Sequence, residues 1–430
     1  MAPVTPVAPV TSVTPVTVVG LDAAGAPPHP ALAPALAAAG LVVGAARHLA
    51  AVPVPPGATT VALGPLAPAV HRLAAAVADG VPAVVLASGD PGLFGILRRL
   101  RAAGLPLRVV PAVSSVAAAF ARAGLPWDGA AVVTAHGRDP RPALNACRAL
   151  PLVAVLTAPG AGAGELGAGL AGWSRRLVVA EHLGTDAERV REVTPEQAAA
   201  GTWSDPHVLL SIATADTADT ADTADAGPDA ARAAGRMRSD NQPAAAPVGG
   251  WALPESRYAH RASMITKSEV RALVIARLRP RLGRLVWDIG AGSGSVGIEC
   301  ALLGAAVIAV EQEPGAGETI RANAAAHAVD VRLVVGRAPA ALAGLPEPDA
   351  VFVGGGGADV LAAVTARRPD RVVLTLAALD RVAPAVGLLR AAGYTVEGSQ
   401  LSAARLADLP GGSIRLAATN PVVVLTGERP

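Results

Sequence analysis

Residues 286 to 299 read VWDIGAGSGSVGIE, which places a carboxylate, Asp288, two residues ahead of three alternating glycines, Gly290, Gly292 and Gly294. An apolar run precedes the group and a helix-forming run comes after it, so the glycines fall where a strand turns sharply into a helix. Bare backbone at such a turn, here including Ala291 and Ser293, lets a ligand come close, and the natural ligand class is nucleotide-like. The dinucleotide fingerprint is spaced G-x-G-x-x-G and seats a pyrophosphate on the helix N-terminus. In this chain Ser295 takes the third glycine's place.

Asp288 narrows the choice further. A carboxylate beside the loop repels a pyrophosphate but attracts, directly or through water, the ammonium of a methionine moiety. Glu311 ends the next apolar run, 21 residues after Gly290, where a carboxylate can accept hydrogen bonds from both hydroxyls of a ribose. A lone acid at a strand end equally well caps a turn. Taken in order, strand, Asp288, glycines, helix, strand and Glu311 favour S-adenosylmethionine over NAD, and methyl transfer over hydride transfer.

These residues need a parallel sheet to hold them, and the pattern supplies one. Apolar runs at 284–290, 305–312, 331–336, 349–355 and 371–377 alternate with Ala-rich helical stretches, as in a sheet covered on both faces. A late run at 420–428 comes after a short connection and reads as an antiparallel edge. Ahead of the first strand, Thr266 is placed as the N-cap of a helix, with Glu269 as its capping-box partner and Pro280 as its stop. The Thr266 hydroxyl is also a candidate ligand contact at the mouth of the sheet. In the first half, runs at 16–20, 41–45, 82–90 and 107–113, then a second group at 130–137, 152–157 and 177–184, suggest two α/β subdomains sharing a cleft.

A chain of 430 residues suggests two domains. The break falls at residues 213–250, which open with ATADTADTADTADAGPDA; the repeated Ala-Asp-Thr triplets offer no amphipathic period, and the segment reads as a solvated linker. Domains are therefore expected at 16–212 and 251–430, behind a Pro/Thr-rich disordered tail, 1–15, that lacks the basic and apolar regions of a signal peptide. Hydrophobic residues make up 52% and aromatics 2%, which implies aliphatic cores of α/β type. The net charge of +2, from 36 basic and 34 acidic residues, offers no broad basic face for nucleic acid. Lys267 is the only lysine. The abundance of Arg suits carboxylate contacts, though codon bias gives the same skew. Two cysteines, Cys147 and Cys300, are too few for a disulfide framework and fit a reducing cytoplasm, and no apolar run is long enough to span a membrane.

The stretch WALPESRYAHRASMITKSEVRALVIARLRPRLGRLVWDIGAGSGSVGIE, continued through VEQEP, GRAP, DAVFVGGGG and NPVVV, resembles the class I methyltransferase domain of cobalamin biosynthesis. That domain methylates carbon 15 of a precorrin and decarboxylates its ring C acetate. The first half is similar to the companion tetrapyrrole methylases through ASGDPGLFGILRRL (87–100), VVPAVSSVAAAFARAGLPWDGAAVVTAHGR (109–138) and EHLGTDAERV (181–190). The ordered set resembles the fused precorrin C(5,15)-methyltransferases of the decarboxylating type. The resemblance implies an α/β protein with an N-terminal two-subdomain tetrapyrrole methylase fold and a C-terminal Rossmann-like class I methyltransferase fold. It implies one S-adenosylmethionine site per domain. In the second these are Thr266, the Gly290–Gly294 loop, Glu311 and Ala338 of the GRAP turn, which would border adenine. In the first they are Ser88, Gly89 and Asp90 of S-G-D-P with Ser114 and Ser115. It also implies a precorrin as partner and self-association into a homo-oligomer.

Methyl transfer from a sulfonium needs alignment more than acid or base help, so no triad is expected. Arg257, His260 and Arg261 are candidates to hold substrate carboxylates, and each alone also fits a solvated charge. His136 in AHGR is either a structural donor or a base. The GGGG run at 354–357 offers bare backbone to a flat macrocycle or is a plain turn. The tetrapyrrole methylases carry a G-x-G turn near their start, whereas here Leu21 and Asp22 come after Gly20. An alternative reading therefore makes the first domain a corrinoid-binding scaffold and leaves catalysis to the second. An NAD-dependent oxidoreductase is a more distant alternative.

Overall fold

In the computed structural model, residues 14–22, 29–214, 251–261 and 265–430 are described. The expected tail and linker lie outside the described residues apart from Thr14, Pro15, Ala213 and Thr214. The first half runs β1 (Val16–Leu21), α1 (Leu32–Ala37), β2 (Leu41–Gly44), α2 (Ala46–Ala51), β3 (Thr59–Ala62), α3 (Leu66–Ala78), β4 (Ala83–Ser88), α4 (Leu97–Ala102) and β5 (Leu107–Val110). It continues with α5 (Ser115–Ala123), β6 (Ala131–Thr134), α6 (Arg141–Ala149), β7 (Leu152–Leu156), α7 (Ala163–Leu170), β8 (Arg175–Glu181), β9 (Arg189–Val193), α8 (Pro195–Ala200) and β10 (His207–Ala213). The second half runs α9 (Ser268–Leu278), β11 (Leu285–Ile289), α10 (Ser295–Leu302), β12 (Ala306–Glu311), α11 (Pro314–Ala326), β13 (Arg332–Val335), β14 (Ala350–Val353), α12 (Ala358–Ala366) and β15 (Arg371–Leu376). After α13 (Val382–Ala391) come β16 (Thr395–Leu401), β17 (Ala404–Asp408), β18 (Ile414–Ala418) and β19 (Val422–Glu428).

Two sheets form the first half. The first has the order β3-β2-β4-β1-β5 and is parallel throughout. Its central strands are continuous apolar runs because both faces are covered: Val18, Val43 and Val85 face one cluster, Val19, Val42 and Leu86 the other. The second sheet, β6-β7-β10-β8-β9, is mixed, with only the β6–β7 pair parallel. Strands β3 and β9 are short edge strands with exposed residues, which is why no apolar run announces them.

The second half is a seven-stranded sheet, β13-β12-β11-β14-β15-β19-β16, whose first five strands are parallel. Strand β19 is antiparallel, as the sequence suggests, but it lies inside the sheet between β15 and β16. The edge is β16, hidden in the sequence by its polar residues TVEGSQL. Trp287 and Ile308 point into one core with Leu342, Val360 and Leu389, while Val286 and Val307 point into the other with Val274, Ile275 and Val296 of α9 and α10. Cys147 and Cys300 are buried and unpaired. Among the described residues, no helix is long and apolar enough to cross a membrane.

A buried ion pair organises the entrance to this sheet. Glu299 on α10 and Arg271 on α9 have fully buried side chains and meet at 2.6 Å. Glu299 also accepts hydrogen bonds from the backbone N–H groups of Ala252 (2.7 Å) and Leu253 (2.9 Å) and from the Tyr258 hydroxyl (3.0 Å). Arg271 donates to the carbonyls of Thr266 and Leu253. The two helices thereby hold the segment 251–261 down, with Leu253 and Tyr258 packed on Ile298 of α10 and Ala324 of α11.

The helix start differs from the sequence expectation. α9 begins at Ser268 with Lys267 as its N-cap residue and no side-chain cap, so Thr266 caps nothing. Glu269 is not a capping-box partner because Arg405 of β17 takes its carboxylate at 2.8 Å, together with that of Glu255 at 2.7 Å. The Arg405 hydrogen bond is the main reason the Glu255 carboxyl is held down at about 2. The helix does end before Pro280, at Leu278.

Replacing Glu299 with Gln removes the charge that compensates buried Arg271. Breaking one side of such a pair costs about 3 kcal/mol or more. Urea unfolding of the Glu299→Gln protein is expected to show a markedly lower midpoint, and an unchanged midpoint would contradict this role.

Candidate active site

The cleft of the second half opens at the C-terminal ends of its parallel strands. Backbone geometry there requires glycine: Gly290 has φ +69°, and a Cβ on it would lie 2.8 Å from the Gly355 nitrogen. Glu311, at the end of β12, shapes the loop from below. One of its oxygens accepts from Gly292 N–H (2.8 Å), and the other from Gln312 (2.8 Å) and Glu313 (3.1 Å). A carboxylate has about four acceptor positions, so one is left for a ligand on this count. Asn323 of α11 joins the loop to the entrance segment, donating to the carbonyls of Ser293 (2.9 Å) and Ala259 (2.8 Å) and accepting from Ala259 N–H (2.8 Å).

Two chambers meet at Gly290, Glu311 and Gln312. The larger, about 1010 Å³, is lined by Ala291, Gly292 and Ser293, by Thr266, and by His260 and Arg261 of the entrance segment. The smaller, about 360 Å³, is walled by Ile289, Val310 and Ala338, by the glycines 355–357, and by Arg337 and Arg381. Thr266, Gly290, Ala291, Gly292, Ser293, Glu311, Ala338, His260 and Arg261 are thus brought together around one space. Lys267, Arg381 and Asn420 also face it. The Asn-Pro pair just before β19 is a readable sign of Asn420, whereas nothing local in the sequence marks Arg381.

Three of the sequence candidates do not line these chambers. Asp288 is fully buried, and its Oδ2 accepts from Gly297 N–H at 2.8 Å, tying β11 to α10. A direct contact with a ligand ammonium is therefore replaced by a strand-to-helix tie. Gly294, the N-cap residue of α10 at φ +76°, is buried against Ile320, where a Cβ would approach its side chain to 3.2 Å, so its smallness serves packing. Arg257 sits in an exposed helical turn, and its carbonyl accepts from His327 at 3.1 Å.

The first-half candidates meet where three parallel strands end. A Cβ on Gly20 would lie 2.0 Å from the Gly89 carbonyl oxygen and 2.7 Å from the Ala112 nitrogen, so the ends of β1, β4 and β5 are in backbone contact there. Gly89 in turn lies against Ser114, which caps α5 by accepting from Ala117 N–H at 3.1 Å, with Ser115 as the first helical residue. Asp90 accepts from Gly92 N–H at 2.7 Å. The Ser88 hydroxyl is held at 2.9 Å by both Arg47 and the buried His48 of α2. Sequence reasoning missed that pair, because it lies 40 residues upstream and joins Ser88 only through the sheet. β1 runs straight through Leu21, which is fully buried, in place of a second-glycine turn. His136 is exposed beyond the end of β6, its backbone N–H on the Thr134 hydroxyl.

Burial pushes the Asp288 carboxyl up to about 7, against the Gly297 hydrogen bond and with the Glu311 charge adding to the rise. In the unfolded chain the group ionises near its ordinary value of about 4. Below that pH it is protonated in both states. Between there and about 7 only the unfolded state releases the proton, so stability falls as pH rises, and it levels off above 7. Asp288→Asn should remove this slope. Urea midpoints of the ligand-free protein measured from pH 5 to 8 are expected to fall more steeply for the parent than for the variant, and parallel curves would refute the assignment.

Comparison with known proteins bears on both halves. A family model of the tetrapyrrole (corrin/porphyrin) methylases matches residues 30–199, and one of the precorrin methyltransferase domain matches residues 256–425. A precorrin-6Y C(5,15)-methyltransferase (decarboxylating) of Mycobacterium tuberculosis is 32% identical over 366 residues, 82% of this chain and 79% of that protein. One from Sinorhizobium sp is 38% identical over 292 residues, 65% of this chain but 63% of that protein, so the match spans less than two thirds of the relative. A probable cobalt-precorrin-6B C(15)-methyltransferase (decarboxylating) of Pyrobaculum calidifontis is 36% identical over 171 residues, 38% of this chain and 87% of its own length. With both halves matched in tandem and most of a relative covered, the chain belongs to the precorrin-6Y C(5,15)-methyltransferase (decarboxylating) family.

Proposed function

We propose that this protein methylates a precorrin at carbons 5 and 15 and decarboxylates its ring C acetate, giving precorrin-8X in cobalamin biosynthesis. It would use S-adenosylmethionine at one site in each of two domains, 16–212 and 251–430. The observation that carries the reading is the double chamber around Gly290 and Glu311. It offers bare backbone, a strand-end carboxylate with acceptor capacity to spare, and a side chamber with Ile289, Val310 and Ala338 in its wall, which together suit a nucleoside joined to an amino acid.

When bound, S-adenosylmethionine supplies a methyl group activated by its sulfonium. The chain's own residues then have mainly to position and enclose. Glu311 accepts from one ribose hydroxyl at its remaining position, Ile289, Val310 and Ala338 wall the adenine, and the Gly290–Ser293 backbone borders the methionine end. Arg261, His260 and Lys267 at the larger chamber hold carboxylates of the macrocycle. The nucleophile is an enamine-like ring carbon, so in-line alignment in a water-poor cleft does most of the work. In the decarboxylation the carbon–carbon bond to the acetate carboxylate breaks, carbon dioxide leaves, and its electron pair enters the conjugated ring, which takes up a proton. In the first domain Ser88, Gly89, Asp90, Ser114 and Ser115 border the second cofactor, with Arg47 and His48 fixing the Ser88 hydroxyl.

One observation favours a second reading. The straight course of β1 through buried Leu21 leaves the first cleft without a glycine turn, which suits a scaffold that presents substrate without methylating it. Mass spectrometry of the product formed from reduced precorrin-6 and S-adenosylmethionine separates the two. Two methyl groups gained with one carbon dioxide lost is the expected result; one methyl with the same loss leaves the first domain as a scaffold, and an unchanged mass overturns the substrate. Gly290→Ala, which pushes a methyl group into the Gly355 backbone, should slow methylation at carbon 15 by about a hundredfold. Methylation at carbon 5 should continue in that variant, and equal loss at both carbons would mean the two sites are not independent.

A further inference from the structure

A parallel sheet needs cover on both faces, and the sheet of the second half does not supply all of its own. Helices α12 and α13 pack one end of the face that carries Trp287 and Ile308. Between β13 and β14, however, the chain makes only a short 3-10 turn, Ala340–Leu342, where a crossover helix would ordinarily lie. The first half fills the gap. Helix α6 packs on β12, Ala149 lies against the cluster, and Trp173, 5% exposed, belongs to the same core as Leu285, Trp287 and Ile308.

Polar contacts ring this apolar patch. The fully buried Arg175 side chain pairs with Asp330 at 2.7 Å and donates to the carbonyls of Leu150 and Arg148. Asn145 donates to the Gly283 carbonyl at 3.1 Å, and Arg141 pairs with Asp349 at 3.0 Å. Gly283, Asp330 and Asp349 precede β11, β13 and β14, so the contact sits at the N-terminal edge of the sheet, opposite the glycine loop, and leaves the cleft open.

We infer that α6, Trp173 and Arg175 form a docking surface whose occupant is this chain's own second half, and that the two halves stay together as one body without the peptide that joins them. Separation would expose Trp287 and Ile308 to water and strip a buried guanidinium of its carboxylate, and both changes oppose it. None of these contacts depends on which substrate the protein takes.

The test is to insert a protease recognition sequence within residues 215–250 of the full chain, fold the protein, cut it and pass it over a gel-filtration column. The cut protein is expected to elute at the position of the uncut one with both fragments in the peak. Two fragments eluting apart would overturn the inference. Asp330→Arg should weaken the association by about a hundredfold or more and release the fragments after cutting. A cut Asp330→Arg protein that still elutes as one would show that this surface is not what holds the halves. Arg141→Glu, at a half-exposed side chain, checks that Asp330→Arg did not act by misfolding: it should weaken the association in the same direction by a smaller factor.

Discussion

The second half of this protein depends on the buried pair between Arg271 and Glu299. Two opposite charges removed from water are tolerated only when their remaining donors and acceptors are satisfied, and here the partners are backbone groups of the entrance segment. That arrangement turns an electrostatic necessity into a positional one, because the segment cannot lift without leaving buried acceptors of Glu299 and donors of Arg271 unsatisfied. His260 and Arg261 reach the cleft from this segment, and Asn323 fastens the same segment to the glycine loop. The part of the chamber wall that carries His260 and Arg261 is therefore set by what helices α9, α10 and α11 hold.

Much of this was legible in the chain. The glycine loop, the strand-end Glu311 and the alternation of apolar runs with Ala-rich helices pointed to a parallel sheet and to the glycine loop as its ligand side, since each is a local pattern with a local cause, whereas the strand order came from the structure. What was not legible depended on partners distant in sequence. Thr266 and Glu269 spell a capping box, yet Arg405, 136 residues on, takes the Glu269 carboxylate and the cap does not form. Asp288 looks like a ligand contact because the residues after it line the chambers, but the pleat turns alternate residues to opposite faces, and its side chain falls toward α10. Edge strands β3, β9 and β16 escaped notice because exposure removes the apolar signal that reveals central strands.

The first half shows the same division at its own cleft. The S-G-D-P and V-S-S segments could be read directly, and the structure brings Gly89 against Ser114. The side chains that fix Ser88 could not, since Arg47 and His48 arrive from the neighbouring strand's helix. Burial, with the Arg47 charge adding to it, lowers the His48 pKa, so the ring favours its neutral form beside the hydroxyl.

Glu311 has a consequence that concerns the cost of binding. Its two oxygens hold three backbone N–H groups, one from the glycine loop and two from the turn after β12. The loop is thus shaped in advance by a covalently attached anion, and an arriving molecule does not have to order it. Little conformational entropy is then lost at that wall on association, and the same carboxylate that presents an acceptor also keeps the receptor rigid. A loop braced this way presents one fixed shape, with one acceptor position left over beside it.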